Sequence, residues 1–257
     1  MTWLARATVL AVGAATLTVP LGIMTGAEAA RVQPRTNGQT TSLAIINVIG
    51  IAGGPKDIAI NDGDDTIYVT VTGTDSVSAI SGNETDDSSA ITVIDGPWGL
   101  AVDQSDDTVY VANNYVTFLS VIRGSDDSVM APISVGSAPQ GVAVNQEDDT
   151  VYVTNEGSNT LTAIRGSDDS VLRTVSVGLG PIGLAVNDRD DTVYVANNNA
   201  NTLTIIRGSD DSALGAIPVG TSPRGVAVNQ EDDTVYVANS IDNSISVING
   251  RNSDDYA

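Results

Sequence analysis

From residue 42 onward, short apolar runs alternate with polar turns, and the whole pattern recurs every 42 residues. In the third recurrence the runs are residues 141–145, 150–155, 160–165 and 171–177. Val, Ile, Thr and Tyr dominate them, the residue types that fit a pleated and half-buried surface. A side-chain period of two puts Val151 and Val153 on one face and Tyr152 on the other. Both faces are apolar, so each recurrence predicts a four-stranded antiparallel sheet covered on both sides. The intervening turns hold Asn, Asp, Gly and Ser, which supply local hydrogen bonds and tolerate positive φ.

Five prolines, Pro55, Pro97, Pro139, Pro181 and Pro223, keep the spacing of 42 without a slip, and each opens a copy of one phrase, such as PQGVAVNQEDDTVYVTN and PRGVAVNQEDDTVYVAN. Several short strands per unit at this period predict an all-β fold, a five-bladed β-propeller of four-stranded antiparallel blades. The fifth unit supplies runs at 225–229, 234–239 and 244–249 and then ends without a fourth. Ahead of the first proline lies SLAIINVIG, residues 42–50, which has the character of a fourth strand and no unit of its own. The tally predicts that this N-terminal strand pairs with the last blade, closing the ring and hiding an exposed edge. The alternative is an open arc that hands the strand to another molecule.

Residues 1–29 combine Arg6, an apolar stretch reaching Pro20 and the triplet Ala27-Glu28-Ala29, the pattern of a cleaved export signal. An uncleaved anchor is the competing reading, but the apolar run is shorter than the ~20 residues of a membrane span. Residues 30–41, ARVQPRTNGQTT, lack periodicity and read as a flexible linker before a single domain at 42–257. The expected location is secreted or in the cell envelope.

The chain carries no Cys and no His, which disfavours thiol nucleophiles, Ser-His-Asp triads and imidazole metal sites. Its net charge is −21, and loss of residues 1–29 removes one Arg and one Glu and leaves that value unchanged. Such a surface repels phosphate backbones and anionic lipid, and favours cations and basic protein surfaces.

The tetrapeptides Tyr110-Val111-Ala112-Asn113, Tyr152-Val153-Thr154-Asn155, Tyr194-Val195-Ala196-Asn197 and Tyr236-Val237-Ala238-Asn239 each precede a run like Leu203-Thr204-Ile205-Ile206 and then Pro-x-Gly-Val/Leu-Ala-Val. In these motifs residues 42–257 resemble the YVTN repeat family of β-propellers. The resemblance implies an exported or surface-layer protein with a binding or structural role. The first unit departs from the pattern: Tyr68-Val69-Thr70-Val71 lacks the Asn, and Asp57 stands where the others have Gly99, Gly141, Gly183 and Gly225.

Two features are candidates for function. Acidic pairs such as Asp64-Asp65, Asp106-Asp107, Asp148-Asp149, Asp190-Asp191 and Asp232-Asp233 in first turns, and Asp86-Asp87, Asp126-Asp127, Asp168-Asp169, Asp210-Asp211 and Asp254-Asp255 in third turns, fall on one side of an up-and-down array. Weak Ca²⁺ association is expected there, although Asp is also a favoured turn residue for purely local reasons. No other cofactor is expected. On the opposite side the units diverge: the residues after the prolines are Lys56, Trp98, Gln140, Ile182 and Arg224. Trp98, Tyr115 and Phe118 gather in the second unit's loops, where aromatics suit stacking on a sugar or anchoring a peptide. With Lys56, Gln140 and Arg224 they form the predicted ligand-binding set, against the alternative that Trp98 plugs a channel.

The function these observations predict is a monomeric, non-enzymatic binding scaffold for a glycan, peptide or protein ligand. An architectural surface-layer component is the first alternative. A metal-assisted lactonase or lyase using Asp57, Glu156 and Asp242 is the second.

Overall fold

The computed structural model describes residues 35–36, 39–40, 48–82 and 88–250, and the chain divides into two units, Met1–Gly50 and Ile51–Ala257. In the first unit β1 (Arg35–Thr36) and β2 (Gln39–Thr40) pair antiparallel, within the stretch expected to be a linker. The export signal expected at 1–29 lies outside the described residues.

The second unit is a series of antiparallel sheets, one per repeat. The first is β3 (Pro55–Asn61), β4 (Thr66–Val71), β5 (Ser76–Ser81) and β6 (Ser88–Thr92), in that order. The second is β7 (Pro97–Asp103), β8 (Thr108–Asn113) and β9 (Phe118–Arg123), with β10 (Ser128–Val129) and β11 (Ile133–Ser134) sharing its outer position. Pro132, which has no N–H to give the ladder, lies in the gap between those two pieces. The third is β12 (Pro139–Asn145), β13 (Thr150–Asn155), β14 (Thr160–Arg165) and β15 (Ser170–Ser176). The fourth is β16 (Pro181–Asn187), β17 (Thr192–Asn197), β18 (Thr202–Arg207) and β19 (Ser212–Pro218). The fifth has, among the described residues, three strands, β20 (Pro223–Asn229), β21 (Thr234–Asn239) and β22 (Ser244–Asn249).

Period-two alternation gives every sheet two apolar faces, and consecutive sheets bury one face against the next. The Tyr-bearing face of the second sheet, with Tyr110, Ala112, Leu119 and Val121, packs on Val144, Val151, Val153 and Ile164 of the third. The same mating joins Tyr68 to the second sheet, Tyr152 to the fourth and Tyr194 to the fifth. Each buried aliphatic side chain contributes about 1.5–3 kcal/mol, so these four layers carry the stability of the array. A buried Asn clamps the end of the middle strand: Asn197 Nδ2 donates to Thr202 Oγ1 at 3.0 Å and Thr204 Oγ1 at 2.8 Å. Asn113, Asn155 and Asn239 do the same in their sheets.

The expected closed five-bladed propeller is not what forms. The sheets are flat, none curls or closes into a ring, and no apolar cluster among the described residues joins the fifth sheet to the first. Ile58 and Ile60 of the first sheet are 63% and 52% exposed, and Ile245 and Val247 of the fifth are 65% and 64% exposed. The physical reason is that a repeat period fixes which faces mate but not the angle accumulated from sheet to sheet, and closure is decided by that angle. Of the strand predicted to close the ring, residues 42–47 lie outside the described residues, and 48–50 belong to no strand.

Candidate functional site

Antiparallel register puts the first and third turns of each sheet at one end, since Thr150 pairs with Arg165. The acidic pairs gathered there build the turns. The first Asp of a pair accepts a backbone N–H two residues on, as Asp148 Oδ1 does from Thr150 N at 3.1 Å and Asp168 Oδ1 from Ser170 N at 3.1 Å. The second takes the left-handed conformation, with φ of 65° at Asp107, 60° at Asp149 and 53° at Asp191. Arg123, Arg165 and Arg207 reach Asp126, Asp168 and Asp210 at 3.2–3.5 Å in half-exposed ion pairs, which contribute little on their own. The hydrogen bonds hold these three carboxyl groups below their ordinary range. Among the described residues no group of three or more carboxylates is placed to hold a metal ion. Asp86-Asp87 and Asp254-Asp255 lie outside the described residues.

The same end carries a ladder between sheets. Asn61 Nδ2 donates to Asp107 Oδ1, Asn145 Nδ2 to Asp191 Oδ1 at 3.0 Å, and Asn187 Nδ2 to Asp233 Oδ1 at 3.2 Å. Burial, then repulsion from Asp148, raises Asp191 to about 6. Asp107 is likewise raised, chiefly by burial. Asn229 on the fifth sheet and Asp65 on the first occupy the outermost positions of this ladder.

At the opposite end the predicted ligand residues are only partly united. Lys56 Nζ lies 4.5 Å from the centroid of the Trp98 ring, a cation–π contact between the first and second sheets. Tyr115 is 63% exposed and its ring covers Gly96, where a Cβ would come within 2.6 Å of it. Phe118 sits across Asn113 from Pro97, half-buried at the start of β9. Gln140 is buried and donates to Glu156, and Arg224 is exposed on the fifth sheet, on β20. The unit-specific acids do not converge. Asp57 Oδ2 accepts from Leu100 N at 3.1 Å, Glu156 is held by Gln140, and Asp242 Oδ2 accepts from Thr221 N at 2.5 Å, which lowers its pKa.

Sequence reasoning passed over the two terminal faces. Ile245 and Val247 occupy the β22 positions that Leu203 and Ile205 fill in β18, where they are 0% and 2% exposed. Tyr236, the counterpart of the buried Tyr194, is 41% exposed, and a hollow of about 400 Å³ lined by Asp232, Thr234, Val247, Ile248 and Asn249 opens beside it. At the other end Ile58 and Ile60 correspond to Leu100 and Val102, 4% and 5% exposed. Repeat register, without closure assumed, would have singled out these residues as the first and last of a stack.

No protein-family model matches the chain, and a search of curated proteins finds no match. Among solved structures it is similar to a functionally unknown protein from Desulfotomaculum acetoxidans DSM 771, at 15% identity and a TM-score of 0.64 over 78% of this chain and 70% of that one. It is also similar to U3-55K, at 10% identity and a TM-score of 0.68 over 78% of this chain and 62% of that one. At such identities the likeness extends to the fold alone. Membership of the YVTN repeat family is therefore unsupported, and the exported propeller scaffold, with its surface-layer alternative, falls with it. No helix among the described residues is long and apolar enough to cross a membrane.

Proposed function

We propose that this chain is a non-catalytic repeat protein that works by self-assembly, one copy stacking its first sheet on the fifth sheet of the next. A single observation carries this reading: the array ends in two uncovered apolar faces that are the two halves of a contact it makes four times internally. Repeat arrays that stay single end in capping units with a polar outer face. Here the outer faces carry Ile58 and Ile60 at one end and Tyr236, Ile245 and Val247 at the other. The partner is a second copy because its mating surface already exists in the sequence, down to Asn229 at one end and Asp65 at the other to extend the ladder. This replaces the expectation of a monomer. The local hydrogen bonds that occupy Asp57, Glu156 and Asp242 favour a non-catalytic role.

Such a contact is heterologous: unlike surfaces meet, and association continues until the copies close a ring or form a filament. Sedimentation velocity on three proteins tests it. The unaltered chain is expected to give concentration-dependent oligomers, whereas Val247→Asp and Ile58→Asp each remain monomeric. Mixed in equal amounts, the two variants should form a dimer and stop there, because each retains the face the other lacks. An unaltered chain that stays monomeric at high concentration, or variants that assemble unmixed, would overturn the proposal.

A further inference from the structure

The Asn–Asp ladder is broken at one place. Asp103 ends β7 at the position held by Asn61, Asn145, Asn187 and Asn229 in the other sheets. Its Oδ1 keeps the local role of those side chains, accepting from Ser105 N at 2.9 Å and Ser105 Oγ at 2.7 Å. Its Oδ2 stands where an amide would donate to the next sheet and, with Asp149 Oδ1, crowds the same point beside Gly166. Asp149 Oδ2 is committed to Ser167 N at 2.7 Å. That leaves Asp103 Oδ2 and Asp149 Oδ1, both buried and both without a donor. Asp103 is 0% exposed.

Two facing acceptors in a buried site need a positive centre between them, because each unpaired oxygen keeps its full desolvation cost. A divalent ion is a poor fit, since hard cations take six or more oxygens and only two are free here. Space is short as well: a Cβ placed on Gly166 would fall 2.9 Å from Asp103 Oδ2 and closer still to Asp149 Oδ1. Among the described residues no cation is placed on the pair: beside it are Tyr110, which donates to Asp169 Oδ1 at 3.1 Å, and Asp106 and Asp169, while Arg165 is turned outward to Asp168. We propose that Asp103 and Asp149 share one proton, so that the contact between the second and third sheets is held by a proton where its sister contacts are held by an amide. Burial and the bond from Asp103 both push the Asp149 carboxyl upward, in keeping with this.

Asp103→Asn installs the group the other sheets already use, so it preserves the fold. It is expected to raise the melting temperature at about pH 8 by about 5 °C, to shrink the gain in melting temperature on acidification to about pH 5, and to remove a protonated-carboxyl band from the infrared spectrum near neutral pH. The converse change, Asn145→Asp, should install a second acid-dependent contact. Equal melting temperatures and an equal pH response in the unaltered chain and Asp103→Asn would overturn the proposal. So would stabilisation of the unaltered chain by Ca²⁺ at about pH 8 that Asp103→Asn lacks, which would identify the shared positive centre as a cation.

Discussion

Leu203 and Ile245 occupy one repeat position in adjacent sheets, which makes them a paired experiment on what covers the end of the array. Leu203 is 0% exposed, and truncating such a side chain to Ala costs about 2–5 kcal/mol, transfer and cavity together. Ile245 is 65% exposed. Full burial of an Ile is worth about 1.5–3 kcal/mol, so the third of its surface that is covered predicts a loss of only about 0.5–1 kcal/mol for Ile245→Ala in the isolated chain. Urea unfolding at low protein concentration should therefore show Leu203→Ala strongly shifted and Ile245→Ala nearly unshifted. At high concentration a second copy covers Ile245, and its truncation should cost close to what Leu203→Ala costs. If Ile245→Ala is as damaging as Leu203→Ala in dilute solution, the face is already buried in the single chain. If the two remain far apart at every concentration, nothing docks there.

Salt should strengthen association: copies of net charge −21 repel, and screening over ~8 Å at physiological ionic strength weakens that repulsion, which light scattering across a NaCl series would register. Stability should rise as pH falls from about 7 toward about 4, because Asp191, raised to about 6, and the likewise raised Asp107, Asp149, Asp169, Asp188, Asp190 and Asp211 bind protons in the folded chain before the unfolded one does. Unfolding midpoints that fall over this interval would refute the burial assigned to these carboxyls. Asn197→Ala removes a fully buried amide and leaves Thr202 and Thr204 without it, so a loss of about 1–3 kcal/mol is expected by urea unfolding, whereas Asn114→Ala, at a half-buried turn position, should cost far less.

The strands were legible because their signal is local. Alternation of Val151, Tyr152 and Val153 dictates which side chains share a face, and the turn residues at 148–149 and 168–169 dictate where a strand must end; 150–155 and 160–165 form at those limits. The three runs of the fifth unit were visible for the same reason, and β20, β21 and β22 form there. Closure was not visible, because it depends on an angle between packed sheets that no single residue sets. The aromatic group illustrates a related limit. Trp98, Tyr115 and Phe118 share one end of one sheet, but the loop geometry gives Trp98 to Lys56 and Tyr115 to Gly96, and contacts of that kind depend on neighbouring units.

Burial at the two ends of the array shows why function was harder to read than fold. Ile245 and Leu203 are chemically alike and sit in equivalent local sequence, so nothing within either repeat says that one is covered and the other bare. The difference is a property of place in the series: the Leu203 face meets the fifth sheet, whereas among the described residues no sheet covers the Ile245 face. Asp103 is the opposite case. The residues ending the five first strands read Asn, Asp, Asn, Asn, Asn, and that one departure changes a donor into an acceptor at a site where the next sheet offers another acceptor. In a repeat protein the positions that break register are therefore the informative ones: an end that lacks its mate predicts a partner, and an interior mismatch predicts a bound charge.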